Sequence, residues 1–432
     1  MTSERLTASA TERLLGFVNV PGDKSISHRA LIFGALAAGE TRIDGLLESE
    51  DVLNTARAVQ AMGVAVERIA AGRWRVTGGE WRSPPGPVDC GNSGTGARLL
   101  MGAAAGFPIE VCFTGDASLS ARPMSRVLDP LRAMGARVTA SAGDRLPATI
   151  RGGGLTGIRF LNEKASAQVK SAILLAGLHA TGEVEVLEPV ASRDHSENML
   201  RAFGCDVMTD GPSIRLGPTR ALRAVDVSVP GDPSSAAFAL VAALICPGSE
   251  VTARGVMVNP LRAGLLSTLI EMGADLELTN RRTVGGEEVA DIVARASDLR
   301  GVEVPEERAP SMIDEYPILA VAAACAEGRS IMHGLAELRV KESDRLGAII
   351  TGLRACGVDA REDGDCLIVE GCGGSPPGGA MIDANHDHRI AMSFLVLGLA
   401  SRSPVRVDGA ATIATSFPTF TGLMTSLGAR IA

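Results

Sequence analysis

Aromatic residues are scarce in this chain: one Tyr, two Trp and ten Phe make up 3% of 432 residues. A surface that reads single strands by stacking bases needs more than that. A basic surplus is also missing, since 42 Lys and Arg face 50 Asp and Glu for a net charge of −8. General nucleic-acid binding, which calls for a broad cationic face, is excluded on that ground. The eight cysteines form no CxxC pair and no metal-type spacing, so reduced thiols packed as small apolar groups are expected. Residues 1–13 are polar, lack an apolar core and carry little positive charge, which predicts neither a secretory signal nor a transit peptide. The apolar stretches are too short to span a bilayer. The expectation is a cytoplasmic protein with no membrane or nucleic-acid partner.

What the sequence does have is repetition. The segments VQAMGVAV (59–66), LRAMGARV (131–138), LRAFGCDV (200–207), LIEMGADL (269–276), LRACGVDA (353–360) and MTSLGARI (424–431) share one pattern. Each reads as the end of an amphipathic helix, a stop at Gly and the start of a strand. Most intervals are about 70 residues, as for a supersecondary unit copied six times. The interval from Gly273 to Gly357 is longer and holds an insertion, with the charged region 280–308 read as strands or loops. Between these segments lie six stretches, 27–38, 95–105, 166–180, 234–246, 316–326 and 388–400, that are apolar on nearly every face. Such stretches are buried helices. The chain is too long for one ordinary core. Three repeats per domain place a boundary near Val229–Pro230.

A polar box precedes each buried helix, and the boxes differ from one another. They carry Asp23, Lys24, Ser25, His28 and Arg29; Asn92, Ser93, Gly94 and Arg98; Lys164, Ser166, Gln168 and Lys170; Asp232, Ser234 and Ser235; Asp314 and Glu315; and His386, Asp387, His388 and Arg389. Unpaired N–H groups and the helix dipole favour anions at these ends. Ordinary N-capping accounts for Asp232, Ser234 and Ser235 at least as well as function does. It does not account for Lys24 and Arg29, because two cations at a positive helix end need an anion to offset them. Phosphate or carboxylate ligands fit.

At PGDKSISHRA (21–30) the chain resembles the EPSP synthase (3-phosphoshikimate 1-carboxyvinyltransferase) family. CGNSGTGARLL (90–100), SARPM (120–124), ASAQVKSAILLAGL (165–178), SRDHSENML (192–200), DEYPILAVAAA (314–324), LRVKESDRL (338–346) and NHDHRIAMSF (385–394) carry the likeness along the whole chain. The resemblance implies an α/β fold of two domains, each with three βαβαββ units, parallel helices inside and sheets outside, an inside-out α/β barrel. It also implies that the N-terminal strand packs with the C-terminal domain, giving domains 21–229 and 1–20 plus 230–432. That fits a sixth repeat that ends at Ala432 without its closing strands. The active site is expected in the cleft between domains. The implied reaction moves the enolpyruvyl group of phosphoenolpyruvate to the 5-hydroxyl of shikimate 3-phosphate, in a monomer without metal or other cofactor.

By resemblance, Lys24, Ser25, Arg29, Ser166, the backbone at Ala167, Gln168, Arg193, Asp314 and Lys341 hold shikimate 3-phosphate. Lys24, Asn92, Gly94, Arg122, Gln168, Arg345 and Arg389 hold phosphoenolpyruvate. Arg suits such places because its planar fork meets an oxyanion through two bonds. Asp314 is the implied base toward the 5-hydroxyl, with Glu342 or Lys24 as proton donor to carbon 3. Where many members have A-K-T-F-P, this chain reads Ala414, Thr415, Ser416, Phe417, Pro418, a loss shared with a divergent, glyphosate-tolerant-like class. Tolerant members carry Ala at the position of Gly94, so a Gly94→Ala variant is expected to resist glyphosate by steric intrusion that spares phosphoenolpyruvate. The sister activity, UDP-N-acetylglucosamine 1-carboxyvinyl transfer, needs a reactive Cys in the loop ending A-R-P, and residues 115–123 contain none. A non-catalytic anion binder would not place Asp314 and Glu342 among the cations.

Overall fold

The computed structural model describes residues 4–432. Two compact units emerge from the contacts: one holds the N-terminal segment through Pro21, Pro230–Thr283 and Glu287–Ala432, the other Gly22–Val229 with Val284–Gly286. The described residues form six four-stranded sheets, three in each unit.

One repeat shows the logic. Strand Val88–Asp89 leads into helix Gly94–Ala105 and then strand Glu110–Thr114, which pairs parallel to the first. Helix Ser125–Ala133 follows, then strands Arg137–Ser141 and Arg145–Arg151. The last strand inserts antiparallel between the second and third. The other sheets repeat this order, βαβαββ, and each stays a separate open sheet rather than joining a continuous barrel. All six signature glycines, Gly63, Gly135, Gly204, Gly273, Gly357 and Gly428, sit at φ between 77° and 105°. That left-handed conformation turns helix into strand at little cost only for Gly.

Two sheets borrow strands from far along the chain. Strand Val227–Ser228 pairs parallel with Glu40–Asp44 and supplies the opening strand of the first repeat. The sixth repeat does reach a short strand, Arg430–Ile431, and its missing partner is Arg5–Ser9, which lies between that strand and Val405–Asp408. Strand Leu15–Asn19 opens the fourth repeat beside Glu250–Met257. Its closing pair, Asp275–Val284 and Glu287–Arg295, is a long hairpin that accounts for part of the longer fifth interval.

The six apolar stretches are helices: Lys24–Leu36, Gly94–Ala105, Ala167–Gly177, Pro233–Ile245, Tyr316–Cys325 and His388–Ala400. In Pro233–Ile245 every residue from Ser234 to Leu244 is buried. A helix buried on all faces needs no polar side, which is why periodicity is absent from these segments. In one unit Pro233–Ile245, Tyr316–Cys325 and His388–Ala400 pack on one another; in the other, Gly94–Ala105 packs on Lys24–Leu36 and on Ala167–Gly177.

Candidate active site

Each polar box opens a buried helix, and the side chains it carries serve both the helix end and its neighbours. In the 22–229 unit, Asp23 Oδ1 accepts from the Ile26 N–H at 2.7 Å. Lys24 pairs with Asp51 at the start of helix Glu50–Ala61. The Ser25 carbonyl accepts from Arg29, whose buried guanidinium also donates to Ser196 Oγ at 2.8 Å and Ser171 Oγ at 2.7 Å. Arg29 is thereby fixed by two further helices, Ala167–Gly177 and His195–Ala202.

The second box turns through Gly91, at φ 55°, before Asn92. Asn92 Oδ1 accepts from Arg122 Nη2 at 2.7 Å, while its amide donates to Asp116 Oδ2 at 2.8 Å. Asp116 uses its other oxygen to cap helix Ala117–Ala121 through the Leu119 N–H at 2.7 Å. One carboxylate therefore ends a helix and orients the amide that orients Arg122. Gly94 begins helix Gly94–Ala105, and a Cβ there would lie 2.8 Å from Arg98 Nη1 and 3.1 Å from Arg122 Nη1. Arg98 Nη1 donates to Gln168 Oε1 at 2.9 Å, and Gln168 Nε2 to Thr95 Oγ1 at 2.9 Å. Ser166 caps its helix from a backbone entered through Ala165, whose φ of 46° is uncommon for a residue with a side chain. Arg193, half-buried, lies just before helix His195–Ala202.

His28 lies below these groups, fully buried. Its Nδ1 meets Thr55 Oγ1 at 2.8 Å and its Nε2 meets Ser93 Oγ at 3.3 Å. Burial, with Lys24 and Arg29 nearby, holds its pKa well below the ordinary imidazole range, so the ring is neutral. Lys170 of the third box is also structural, buried between Glu188 at 2.8 Å and Glu197 at 2.7 Å. Cys90, beside the second box, is pushed up to about 12 by burial and by Asp89 and Asp51, which removes it as a nucleophile.

In the other unit, Arg345 organises the site. It is 1% exposed, and its Nε donates to Asp387 Oδ2 at 2.7 Å. It also pairs with Asp314 at 3.3 Å and with Glu342 at 2.5 Å. Three carboxylates thus surround one guanidinium, whose positive form they favour against burial. Lys341 Nζ reaches the same Asp314 oxygen at 3.3 Å. Arg389 Nη1 donates to the Asp314 carbonyl at 3.0 Å. Asp387 also caps its own helix through the Arg389 N–H at 2.9 Å, after Asn385 and His386 turn the chain at φ 49° and 58°. The fourth box is a cap: Asp232 Oδ1 accepts from the Ser234 N–H at 2.8 Å, and the cluster is completed by buried Arg262 and Glu315.

Lys24, Ser25, Arg29, Asn92, Gly94, Arg122, Ser166, Ala167, Gln168 and Arg193 therefore belong to one unit. Asp314, Lys341, Glu342, Arg345 and Arg389 belong to the other, brought together around Asp314 and Arg345. The carboxylates and hydroxyls that aim them, Asp51, Asp116, Asp387, Ser171 and Ser196, received no role from the sequence. The signal available for Asp387 was its place in the sixth box; for Asp51 and Asp116 it was only a local helix start.

A sequence profile of EPSP synthase (3-phosphoshikimate 1-carboxyvinyltransferase) matches residues 8–424. The 3-phosphoshikimate 1-carboxyvinyltransferase of Caulobacter vibrioides (strain NA1000 / CB15N) is 58% identical over 428 residues, 97% of each chain. That of Phenylobacterium zucineum (strain HLK1) is 58% identical over 436 residues, covering 100% of this chain and 96% of its own. Among solved structures, EPSP synthase from Acinetobacter baumannii superposes with a TM-score of 0.88 at 44% identity, covering 100% of this chain and 99% of its own. The enolpyruvyl transferase NikO from Streptomyces tendae shares the fold, with a TM-score of 0.77 at 22% identity over 100% of this chain and 99% of its own. Repeats, boxes and charged clusters thus meet in one assignment: the chain belongs to the EPSP synthase family.

Proposed function

We propose that this chain transfers the enolpyruvyl group of phosphoenolpyruvate to the 5-hydroxyl of shikimate 3-phosphate, releasing phosphate and forming 5-enolpyruvylshikimate 3-phosphate. The observation that carries this reading is the cluster around Arg345, where Asp314 faces Lys341 and Arg345 at 3.3 Å each. Pure anion binding is weakened by a carboxylate among its cations, whereas a positioned carboxylate can take up a proton.

In this mechanism Asp314 takes the proton of the 5-hydroxyl as its oxygen bonds to carbon 2 of phosphoenolpyruvate. Carbon 3 gains a proton from Glu342 or from Lys24, giving a tetrahedral intermediate. Breaking the carbon–phosphate oxygen bond, with loss of a proton from carbon 3, then restores the enol ether. Lys24, Ser25, Arg29, Ser166, Ala167, Gln168, Arg193 and Lys341 serve shikimate 3-phosphate. Asn92, Gly94, Arg122, Gln168, Arg345 and Arg389 serve phosphoenolpyruvate with Lys24. The pre-set hydrogen bonds of Arg29, Arg122 and Arg345 mean that little reorganisation is needed as charge moves. The enzyme works as a cytoplasmic monomer.

No described helix is long and apolar enough to cross a membrane. Phosphate release from phosphoenolpyruvate, dependent on shikimate 3-phosphate and indifferent to a UDP-sugar, is the expected result. Release that depends on the UDP-sugar instead would assign the sister reaction.

A further inference from the structure

Away from these clusters, one sheet lines up a carboxylate, an imidazole and a thiol on three neighbouring strands. Strands Glu303–Val304, Glu327–Met332 and Cys366–Cys372 are adjacent in that order. Met332 pairs with Leu367 in the antiparallel ladder, so His333, the next residue, falls beside Cys366. His333 Nδ1 lies 3.1 Å from Cys366 Sγ, and His333 Nε2 lies 3.0 Å from Glu303 Oε1. The tautomer that satisfies both contacts carries its proton on Nε2, donated to Glu303, and leaves Nδ1 bare toward the thiol. All three side chains are wholly or partly exposed.

We propose that Cys366 is a modification site for neutral hydroperoxides, with His333 as its base and Glu303 orienting the imidazole. Burial and the charges of Asp363, Asp365 and Glu306 push the thiol up, and the Gly334 N–H opposes them, so the resting thiol keeps its proton. Base assistance is then what makes it a nucleophile. Sulfur attacks the distal peroxide oxygen, an S–O bond forms and the O–O bond breaks. The thiol proton moves to His333 Nδ1 and on to the departing oxygen. Thiol and hydroperoxide become sulfenic acid and an alcohol or water, with sulfur oxidised and the peroxide reduced. The carboxylates of Glu303, Glu306, Asp363 and Asp365 disfavour anionic oxidants at this spot, which selects the neutral reagent.

Cys372, at the far end of the same strand, is an internal comparator: it is more exposed than Cys366 and has no histidine contact among the described hydrogen bonds. Accessibility alone therefore predicts that Cys372 reacts first. The full chain is treated with hydrogen peroxide and a carbon nucleophile that traps sulfenic acid, and each cysteine is followed by mass spectrometry. The expected result is Cys366 labelling at least about tenfold faster than Cys372, the low side of what a positioned base supplies. His333→Gln should remove that advantage. Glu303→Gln, an exposed change that leaves the sheet intact, should reduce it. Labelling of Cys366 no faster than Cys372, or unchanged in both variants, overturns the proposal.

Discussion

Asp314 Oδ1 is shared by Lys341 and Arg345, while its own carbonyl holds Arg389. Replacing the side chain by Ala leaves the Arg389 contact and the Arg345–Asp387 pair in place, so those two cations stay where they are, while Lys341 loses its contact with Asp314. Asp314→Ala should therefore lower kcat by roughly 10²–10⁴, the range for a positioned base, with much smaller changes in KM. Steady-state kinetics with both substrates check this, and a near-normal kcat would remove Asp314 from the proton path. His28 makes a different prediction. Its pKa is depressed on folding, so the unfolded chain binds the extra proton. Its contribution to stability is thus present above the ordinary imidazole pKa of about 6.5 and declines as pH falls below it. Comparing thermal unfolding of wild type and His28→Gln between pH 8 and pH 5 should show the wild-type advantage shrinking toward acid.

At the scale of elements, the contact between helices Gly94–Ala105 and Ala167–Gly177 decides how glycine substitutions act. A Cβ on Gly102 would stand 2.3 Å from the Ala172 carbonyl oxygen and 2.5 Å from its Cα, so backbone must move. Gly102→Ala should cost about 1–3 kcal/mol by overpacking, and should also loosen the Arg98–Gln168 bond that spans the same helices. A Cβ on Gly94 comes closest to the tips of Arg98 and Arg122, flexible ends rather than backbone, with Leu119 Cδ1 at an ordinary 3.7 Å. Gly94→Ala should keep the wild-type melting temperature yet raise KM for phosphoenolpyruvate together with the inhibition constant for glyphosate. That outcome differs from the sequence expectation of a methyl that spares phosphoenolpyruvate, and measuring the two constants together decides between them. The buried helices and their polar starts were legible because a segment apolar on every face has one stable location. Their carboxylate partners were not. Asp116 and Asp387 are N-caps, but a carboxylate has about four lone-pair sites, and the remainder hold Asn92 and Arg345.

For the whole molecule, the repeats were legible in six glycines, whereas the strand that completes the last sheet was expected only from the family resemblance, because pairing between distant strands leaves no local spacing to read. Strand Arg5–Ser9 fills a gap between Val405–Asp408 and Arg430–Ile431, with Ala8 fully buried. Thr7 and Ala432 exchange both backbone bonds, at 2.7 and 2.9 Å. Without this strand, Val405–Asp408 loses its antiparallel partner and helix His388–Ala400 loses the cover beside it. The Gly22–Val229 unit draws no strand from that segment, since its three sheets are built from its own residues. A chain lacking residues 1–10 should therefore melt unevenly. Hydrogen exchange should show protection lost along His388–Ala400 and Val405–Asp408, with protection retained in helices Lys24–Leu36 and Gly94–Ala105, as for separate cooperative units. Enolpyruvyl transfer should fall along with it, because Asp387, at the head of the unprotected helix, holds the Arg345 guanidinium through its Nε. Uniform loss of protection across both units would mean that the chain unfolds as one cooperative body.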